Sequence, residues 1–221
     1  MKVRLNMNDE LRYFNSSKNW WKFDPKWAVV KYVGTKLKIL DVGCSYGDLG
    51  EKLKQKGCYV DGVELYEPAA NAADKILNNV FRINIDNRIE IENAGFEGYD
   101  LITFMDVLEH TIDPTSTLNC FSKYLNPNGR VIVSLPNIAN IVERFNLLLG
   151  RFDYKEYGVL DKTHLRFFTL KSALEMMHKN FQNVQIIECT PRYNFFRPFV
   201  KFFPGLLALQ FVILAGGVID N

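Results

Sequence analysis

Several things are scarce in this sequence of 221 residues, and each scarcity closes off a class of function. Cysteine occurs only at 44, 58, 120 and 189, with no C-x-x-C pair. Neither a zinc knuckle nor a dithiol redox pair is therefore indicated, and a reducing, cytoplasmic setting is expected. Lys and Arg number 27 against 25 Asp and Glu, a formal charge of +2. That is too small a basic surplus for a dedicated nucleic-acid binder, and no nucleic-acid partner is expected. Only three histidines exist, at 110, 164 and 178, so candidates for an imidazole base are few. No repeat and no low-complexity linker divides the chain, which suits one domain with appendages. Met1–Glu10 is mixed polar with no apolar run behind it, so no signal peptide is expected.

What is present is an ordinary globular composition, 48% apolar and 24% charged. A chain of this size buries roughly 70–75% of its unfolded surface, enough for a full core without staples. One stretch, Phe202–Ile219, carries no charge and approaches the length of a membrane span. Pro204, Gly205, Gln210 and Gly216-Gly217 interrupt it, and a buried strand preceded by a loop fits better. Aromatic residues are abundant at 14%, and unevenly placed. Residues 34–135 hold 9 of the 30, whereas 1–33 and 136–221 hold the other 21.

Strand-like and helix-like segments alternate. Short apolar runs at Lys38–Val42, Tyr59–Val63, Val80–Ile83, Tyr99–Met105, Arg130–Leu135, Asn183–Glu188 and Leu209–Leu214 read as strands. Between them, Leu49 and Leu53 recur at helical spacing. Ala69, Ala72, Ala73, Ile76 and Leu77 form a second helical stripe after Pro68. Asp113-Pro114 and Thr169 read as the starts of two further helices. The pattern predicts an α/β fold with a mainly parallel, seven-stranded sheet and helices on both faces. Its ligand site should lie at the carboxyl ends of the strands.

The first strand runs into Asp41-Val42-Gly43-Cys44-Ser45-Tyr46-Gly47-Asp48. Glycines here let the backbone turn sharply and approach a ligand closely. Glu64 ends the second strand, 23 positions after Asp41, where a carboxylate can accept hydrogen bonds from ribose hydroxyls. A nucleoside-containing cofactor is indicated. A dinucleotide site wants G-x-G-x-x-G and a pyrophosphate on the helix N-terminus. Gly43-x-x-x-Gly47 lacks that spacing, and Asp41 and Asp48 on its flanks would repel pyrophosphate. They suit S-adenosylmethionine, which has no phosphate and carries a sulfonium and an α-amino group.

Asp41–Gly47 resembles motif I of the class I S-adenosylmethionine-dependent methyltransferases. Asp100–Pro114 resembles their fourth-strand motif, and Tyr124–Ser134 the helix–turn–fifth-strand segment that follows. The three occur in the expected order over residues 37–190. The resemblance implies a Rossmann-like sheet, an N-terminal helical cap over 1–33 and an acceptor-side insertion over 136–168. It implies that Gly43, Cys44 and Gly47 line the methionine part of the cofactor. Glu64 would hold the ribose, with Leu65 beside the adenine. Asn84 and Ile85 fall where the family carries an acidic residue near the adenine amino group, and Met105 and Asp106 would lie under the cofactor. Ser45 replaces the commoner glycine.

Methyl transfer also needs an aligned acceptor and often a base. His164, in Leu160–Thr169, sits in the insertion bordering the acceptor pocket and is a candidate base; the bland reading is that Asp161, Thr163 and His164 fix the loop. His110 is a second candidate, with a hydrogen-bonding role as its bland reading. Asn137, just past the fifth strand, is either an acceptor-orienting group or a turn asparagine after Pro136. His178, beside Lys179, reads as a solvated surface residue. Mg²⁺ has no support and no metal site is assigned, because no acidic pair beyond those already given a role shows ligand geometry. Gly150–Tyr154 with Asp161–Thr169 resembles bacterial methyltransferases associated with glycosyltransferases and envelope-glycan or secondary-metabolite assembly, and more loosely quinone-pathway O-methyltransferases. This implies a hydroxyl on a sugar-like or other small acceptor; N-methyl transfer, quinone or phenol O-methylation, NAD(P)-dependent oxidoreduction and non-catalytic cofactor binding remain as alternatives. Tyr13, Phe14, Trp20, Trp21, Phe23 and Trp27 crowd the N-terminal segment, as a lid or as plain packing. Residues 193–207 interleave aromatic and cationic side chains, and peripheral contact with a lipid-linked acceptor at the inner membrane surface is one reading of them.

Overall fold

In β1 the residues Ile39, Leu40, Asp41 and Val42 are all buried, so both faces of this strand are covered. That is the burial a parallel sheet requires. The computed structural model describes residues 25–219. Seven strands form one sheet: β1 Lys38–Val42, β2 Tyr59–Val63, β3 Asn79–Phe81, β4 Tyr99–Met105, β5 Leu125–Pro136, β6 Phe181–Pro191 and β7 Ala208–Val218. Their order is β3-β2-β1-β4-β5-β7-β6. β1 to β5 pair in parallel, and β7 enters antiparallel between β5 and β6. The order reverses between β1 and β4, which opens a crevice at their carboxyl ends.

Successive side chains of a strand point to opposite faces, and the core divides accordingly. Leu40, Val42, Ile102, Phe104, Val131 and Val133 share one cluster. Helices α4 (Arg88–Asn93), α5 (Pro114–Ser122) and α7 (Leu170–Asn180) cover it, through Ile91, Phe121 and Met177 among others. Ile39, Val60, Leu101 and Ile132 belong to the second cluster. There α1 (Pro25–Tyr32), α2 (Asp48–Gln55) and α3 (Glu67–Ala73) supply Val29, Leu53 and Ala73. Asp113 caps α5 by accepting the Ser116 N–H at 3.0 Å, and Thr169 closes a reciprocal box with Ser172 at the start of α7. Two short helices remain, α6 (Ile141–Leu148) in the insertion and α8 (Pro204–Leu207) before β7.

The differences from the sequence pattern have local causes. The stripe through Leu77 predicts a longer α3, but α3 ends at Ala73. Asn78 exchanges two bonds with Val60 and draws the chain into β3 early. β5 begins at Leu125, ahead of the Pro127-Asn128-Gly129 turn, because Asn126 bonds Asp100 and the β4–β5 register shifts between Tyr99 and Leu101. A Cβ at Gly129 would lie 2.9 Å from the carbonyls of Asn126 and Tyr99, so only glycine passes there. The apolar stretch near the carboxyl end is α8 followed by β7, as the buried-strand reading expects. Among the described residues no helix is long and apolar enough to cross a membrane. Of the N-terminal aromatics, Tyr13, Phe14, Trp20, Trp21 and Phe23 lie outside the described residues.

At the amino ends of the strands a polar network closes the sheet. Tyr99 donates to Asp61 Oδ2 at 2.9 Å and Asn79 to Asp61 Oδ1 at 2.8 Å. A recess of about 560 Å³ opens here, bordered by Lys38, Asp61 and Tyr99, at the opposite end of the sheet from the strand-end crevice. Tyr99→Phe would leave the buried Asp61 carboxylate short of a donor. It should lower stability by about 1–3 kcal/mol in denaturant unfolding. An unchanged midpoint would show that the network contributes nothing.

Candidate functional site

The turn from β1 into α2 is built from left-handed backbone. Gly43, Ser45 and Gly47 have φ of 71°, 50° and 85°. A Cβ at Gly43 would stand 2.4 Å from Val107 Cγ2, whereas at Gly47 the left-handed backbone alone favours glycine. Ser45 adopts the conformation that glycine enters without strain. Its N–H goes to Glu64 Oε2 at 3.0 Å, which helps hold it there. The Gly43 and Cys44 N–H groups both bond the Val63 carbonyl, at 2.8 and 3.0 Å, tying the turn to the end of β2.

Cys44 is placed differently from the expectation that it lines the methionine part of a cofactor. Its side chain is buried against Gly62, and burial together with the neighbouring Asp41 pushes the thiol pKa far up. Only the Cys44 backbone can face a ligand. Asp41 is buried beneath the turn and accepts the Thr103 hydroxyl at 2.7 Å. Burial raises its pKa from 3.8 to about 6, against the lowering effect of that hydrogen bond.

Glu64 ends β2 half-buried. Each of its oxygens accepts one backbone N–H, Ser45 on Oε2 and Tyr66 on Oε1 at 2.8 Å. A carboxylate oxygen has two lone pairs, so each keeps one for a ribose hydroxyl. Burial raises the Glu64 pKa, and the N–H bonds oppose the rise. Leu65 beside it is 60% exposed and offers an open apolar face. Across the edge, Asn84 accepts the Asp86 N–H, and Glu90 caps both Asn84 N and Asn87 Nδ2. Ile85 packs its side chain partly on the core. One carboxylate, Glu90, thus stands beside the asparagine, while that of Asp86 accepts the Ile112 N–H.

At the end of β4, Met105 is buried and Asp106 turns outward with φ 59°. A left-handed aspartate at the end of a strand is backbone strain of the kind concentrated at functional sites. Ser134 and Gln210, neither of them apparent as partners in the sequence, hold it. Ser134 Oγ donates to Asp106 Oδ1 at 2.6 Å and accepts the Asp106 N–H, while Gln210 Nε2 also donates to Oδ1.

The next turn, Leu108–His110, brings three titratable groups together. His110 and His164, 54 positions apart, meet edge to face with ring centroids 4.8 Å apart. His110 Nδ1 lies 3.2 Å from the Thr163 carbonyl, and His164 Nδ1 lies 3.0 Å from the Val159 carbonyl. A carbonyl only accepts, so each neutral ring carries its proton on Nδ1 and leaves Nε2 with a lone pair. Loss of water around the ring, and then the neighbouring His164, lower the His110 pKa. Beside them Glu109 is 1% exposed with one oxygen unpartnered, and burial holds its pKa well above the usual carboxylate range. One ligand atom from each of Glu109, His110 and His164 lies within 4.8 Å of the others. These residues could hold a metal ion. The sequence spacing gives no hint of the set, because one member comes from the insertion.

The insertion is fastened where it matters. The Glu109 carbonyl accepts the Leu165 and Arg166 N–H groups, and Asp161 accepts from Thr163 N and Oγ1. Thr163 and Asp161 thus fix the loop, and the loop presents His164. Phe167 stands 6.3 Å from the His164 ring and joins Phe152 and Tyr154 in an aromatic wall. Asn137 requires a correction: it does not face an acceptor. It is fully buried, donates to the Gly205 and Ala208 carbonyls at 3.2 and 2.8 Å, and accepts the Ala139 N–H. It latches the chain between β5 and β7. His178 is exposed on α7, as expected of a surface residue.

Residues 14–186 match the family described as a methyltransferase domain. Over 103 residues the chain is 33% identical to the ubiquinone biosynthesis O-methyltransferase of Aeromonas salmonicida, covering 45% of this chain and 43% of that protein. The corresponding protein of Pasteurella multocida is 32% identical over 112 residues, covering 45% and 46%. The chain therefore spans less than half the length of these relatives in the match. A SAM-dependent methyltransferase from Archaeoglobus fulgidus superposes with a TM-score of 0.62 at 16% identity, covering 94% of each chain. The plantazolicin methyltransferase, solved with SAH, superposes at 0.62 and 18% identity, covering 95% of this chain and 89% of that one.

Asp41 gives a test of the site's electrostatics. Between pH 4 and 6 the folded chain keeps a proton on Asp41 that the unfolded chain releases, so this group's contribution falls as pH rises. Asp41→Asn keeps the acceptor for Thr103 without the charge. The variant should gain stability over the wild type by up to about 3 kcal/mol, the gap opening from pH 4 to 6 and persisting above. A gap independent of pH in paired melting curves would contradict this assignment.

Proposed function

We propose that this chain, which belongs to the methyltransferase-domain family and takes S-adenosylmethionine as its cofactor, methylates a hydroxyl oxygen of a small, sugar-like acceptor. One observation carries the reading. The glycine turn with Glu64 and the Glu109–His110–His164 cluster stand at the same carboxyl edge of the sheet, on either side of the β1–β4 reversal. The residues fit the cofactor. Gly43 and Gly47 supply the left-handed backbone that a tight turn around the cofactor needs, with Val107 packed where a Gly43 Cβ would stand, and Glu64 keeps lone pairs for two hydroxyls. Leu65 offers an apolar face for the adenine, with Asn84 and Ile85 at its edge. Asp41, Met105 and Asp106 underlie the methionine end.

S-adenosylmethionine supplies a sulfonium-activated methyl group. The chain's own work is to orient the acceptor, exclude water and take a proton. His164 carries its proton on Nδ1, so its Nε2 can accept one from an acceptor hydroxyl. The Val159 carbonyl fixes its ring, and His110 and Glu109 flank it. The rings of Phe152, Tyr154 and Phe167 meet edge to face or tilted and give an aromatic wall beside this base, and an aromatic ring face suits the C–H face of a sugar. The same wall suits a phenol, and the relatives' name keeps a quinone-pathway phenol as the competing acceptor.

A screen over nucleotide sugars, glycans and phenols, read by mass, identifies the acceptor class; methylation of phenols alone would overturn the sugar assignment. With a working acceptor, His164→Ala should reduce kcat by about 10²-fold or more while S-adenosylmethionine affinity stays near wild type. Unchanged turnover would remove His164 as the base.

A second reading of the cluster is favoured by the unpartnered Glu109 oxygen. Three potential ligand atoms converge, and that oxygen has no hydrogen-bond partner among the described residues. A divalent cation held by Glu109, His110 and His164 would satisfy all three and could bind the acceptor oxygen directly. Titrating Mn²⁺ into the protein by calorimetry separates the readings. The cation reading expects one-to-one binding that Glu109→Gln abolishes; no heat of binding leaves the proton-accepting reading alone.

A further inference from the structure

The crossover from β6 to β7 is an unusual piece of surface. From Tyr193 to Leu207 the backbone winds through successive i→i−3 and i→i−4 turns, among them Phe196 to Tyr193, Val200 to Phe196 and Leu207 to Phe203. Val200 and Leu207 are buried and pin the segment to the core. Phe196 packs partly on the core as well, whereas the rings of Phe195, Phe202 and Phe203 point away. Phe195 and Phe202 are each 76% exposed, and Phe203 is 60% exposed. Tyr193, Phe195, Phe196 and Phe199 gather into one cluster with centroid separations of 5.6–6.5 Å. Water-exposed rings on this scale are costly unless something covers them.

The charges say what covers them. Arg192, Arg197 and Lys201 interleave with the rings, and no Asp or Glu occurs between Glu188 and Asp220. Aromatic rings with flanking cations are the composition of a segment lying in a lipid headgroup layer, the rings at the acyl boundary and the cations among phosphates. A second copy of this chain docked through the same patch would set Arg197 and Lys201 against the same two cations, Arg192 being paired with Glu143. An anionic lipid surface is complementary to the patch, and a symmetric dimer is not.

The patch also stands where a lipid surface could matter to the reaction. Pro136 pairs with Gln210, so the crossover enters β7 at the end of the sheet where β5 leaves it. Arg192 pairs at 3.5 Å with Glu143 of α6, and α6 itself exposes Phe145 and Leu148. The rings therefore border the insertion that carries His164.

We propose that residues 192–207 seat this protein on an anionic membrane surface, with its acceptor side toward the lipid. Binding here is independent of methyl transfer and is measured without it. The test is cosedimentation of the full chain with vesicles of phosphatidylcholine alone and with about 30% phosphatidylglycerol. Binding should appear on the phosphatidylglycerol vesicles and weaken as salt is raised. Phe195→Ser/Phe202→Ser and Arg197→Glu/Lys201→Glu should each reduce it by tenfold or more, with melting curves checking that both variants fold. No binding of the wild type, or binding that neither folded variant weakens, overturns the proposal. A wild-type dimer that the phenylalanine variant turns into a monomer would assign the patch to a second copy instead.

Discussion

The Val63 carbonyl accepts two backbone N–H groups, from Gly43 and Cys44, and the cofactor half of the molecule depends on that junction. It fastens the exit of β1 to the exit of β2. The chain can then turn through three left-handed residues without swinging free, and Ser45 delivers its N–H to Glu64. One carboxylate is thereby oriented by the turn beside it. Such pre-ordering lowers the cost of fixing a ligand, because the groups that hold it are already held.

The acceptor half rests on a different device. β6 returns the chain to the carboxyl edge, and the antiparallel β7 starts there between β5 and β6, where Gln210 reaches Asp106 and Asn137 latches the passage from β5. Residues after β5 and before β7 are thus held against the same edge. The Glu109 carbonyl then binds the insertion through Leu165 and Arg166, and this sets His164 beside His110. Burial of Glu109 among these groups raises its carboxyl pKa, and the Nδ1 atoms of the two imidazoles face carbonyls.

The parts of this architecture legible in the sequence are those written in local pattern. Runs such as Tyr99–Met105 have the boundaries the apolar pattern predicts, because a doubly covered strand must be apolar on both faces. Gly43, Gly47 and Glu64 were legible because backbone conformation and strand ends restrict residue choice. Asn137 and Cys44 were not, because position after a strand does not fix where a side chain points. Asn137 turns to the Gly205 and Ala208 carbonyls, 68 and 71 residues away, and no local spacing announces such a partner. Glu109 was hidden for the same reason. A charged residue in Leu108-Glu109-His110 reads as solvated until the insertion is folded over it. The aromatic excess was visible as a number and a location; which rings pack and which stay exposed depends on how the crossover to β7 lies.

The central claim is that the strand-end turn with Glu64 is a site for S-adenosylmethionine. Calorimetric titration of the whole chain tests it most directly. S-adenosylmethionine and S-adenosylhomocysteine should bind with one-to-one stoichiometry, with affinity falling about tenfold or more in Glu64→Ala as the ribose acceptors are lost. Binding of NAD with no binding of either adenosyl compound would contradict the account.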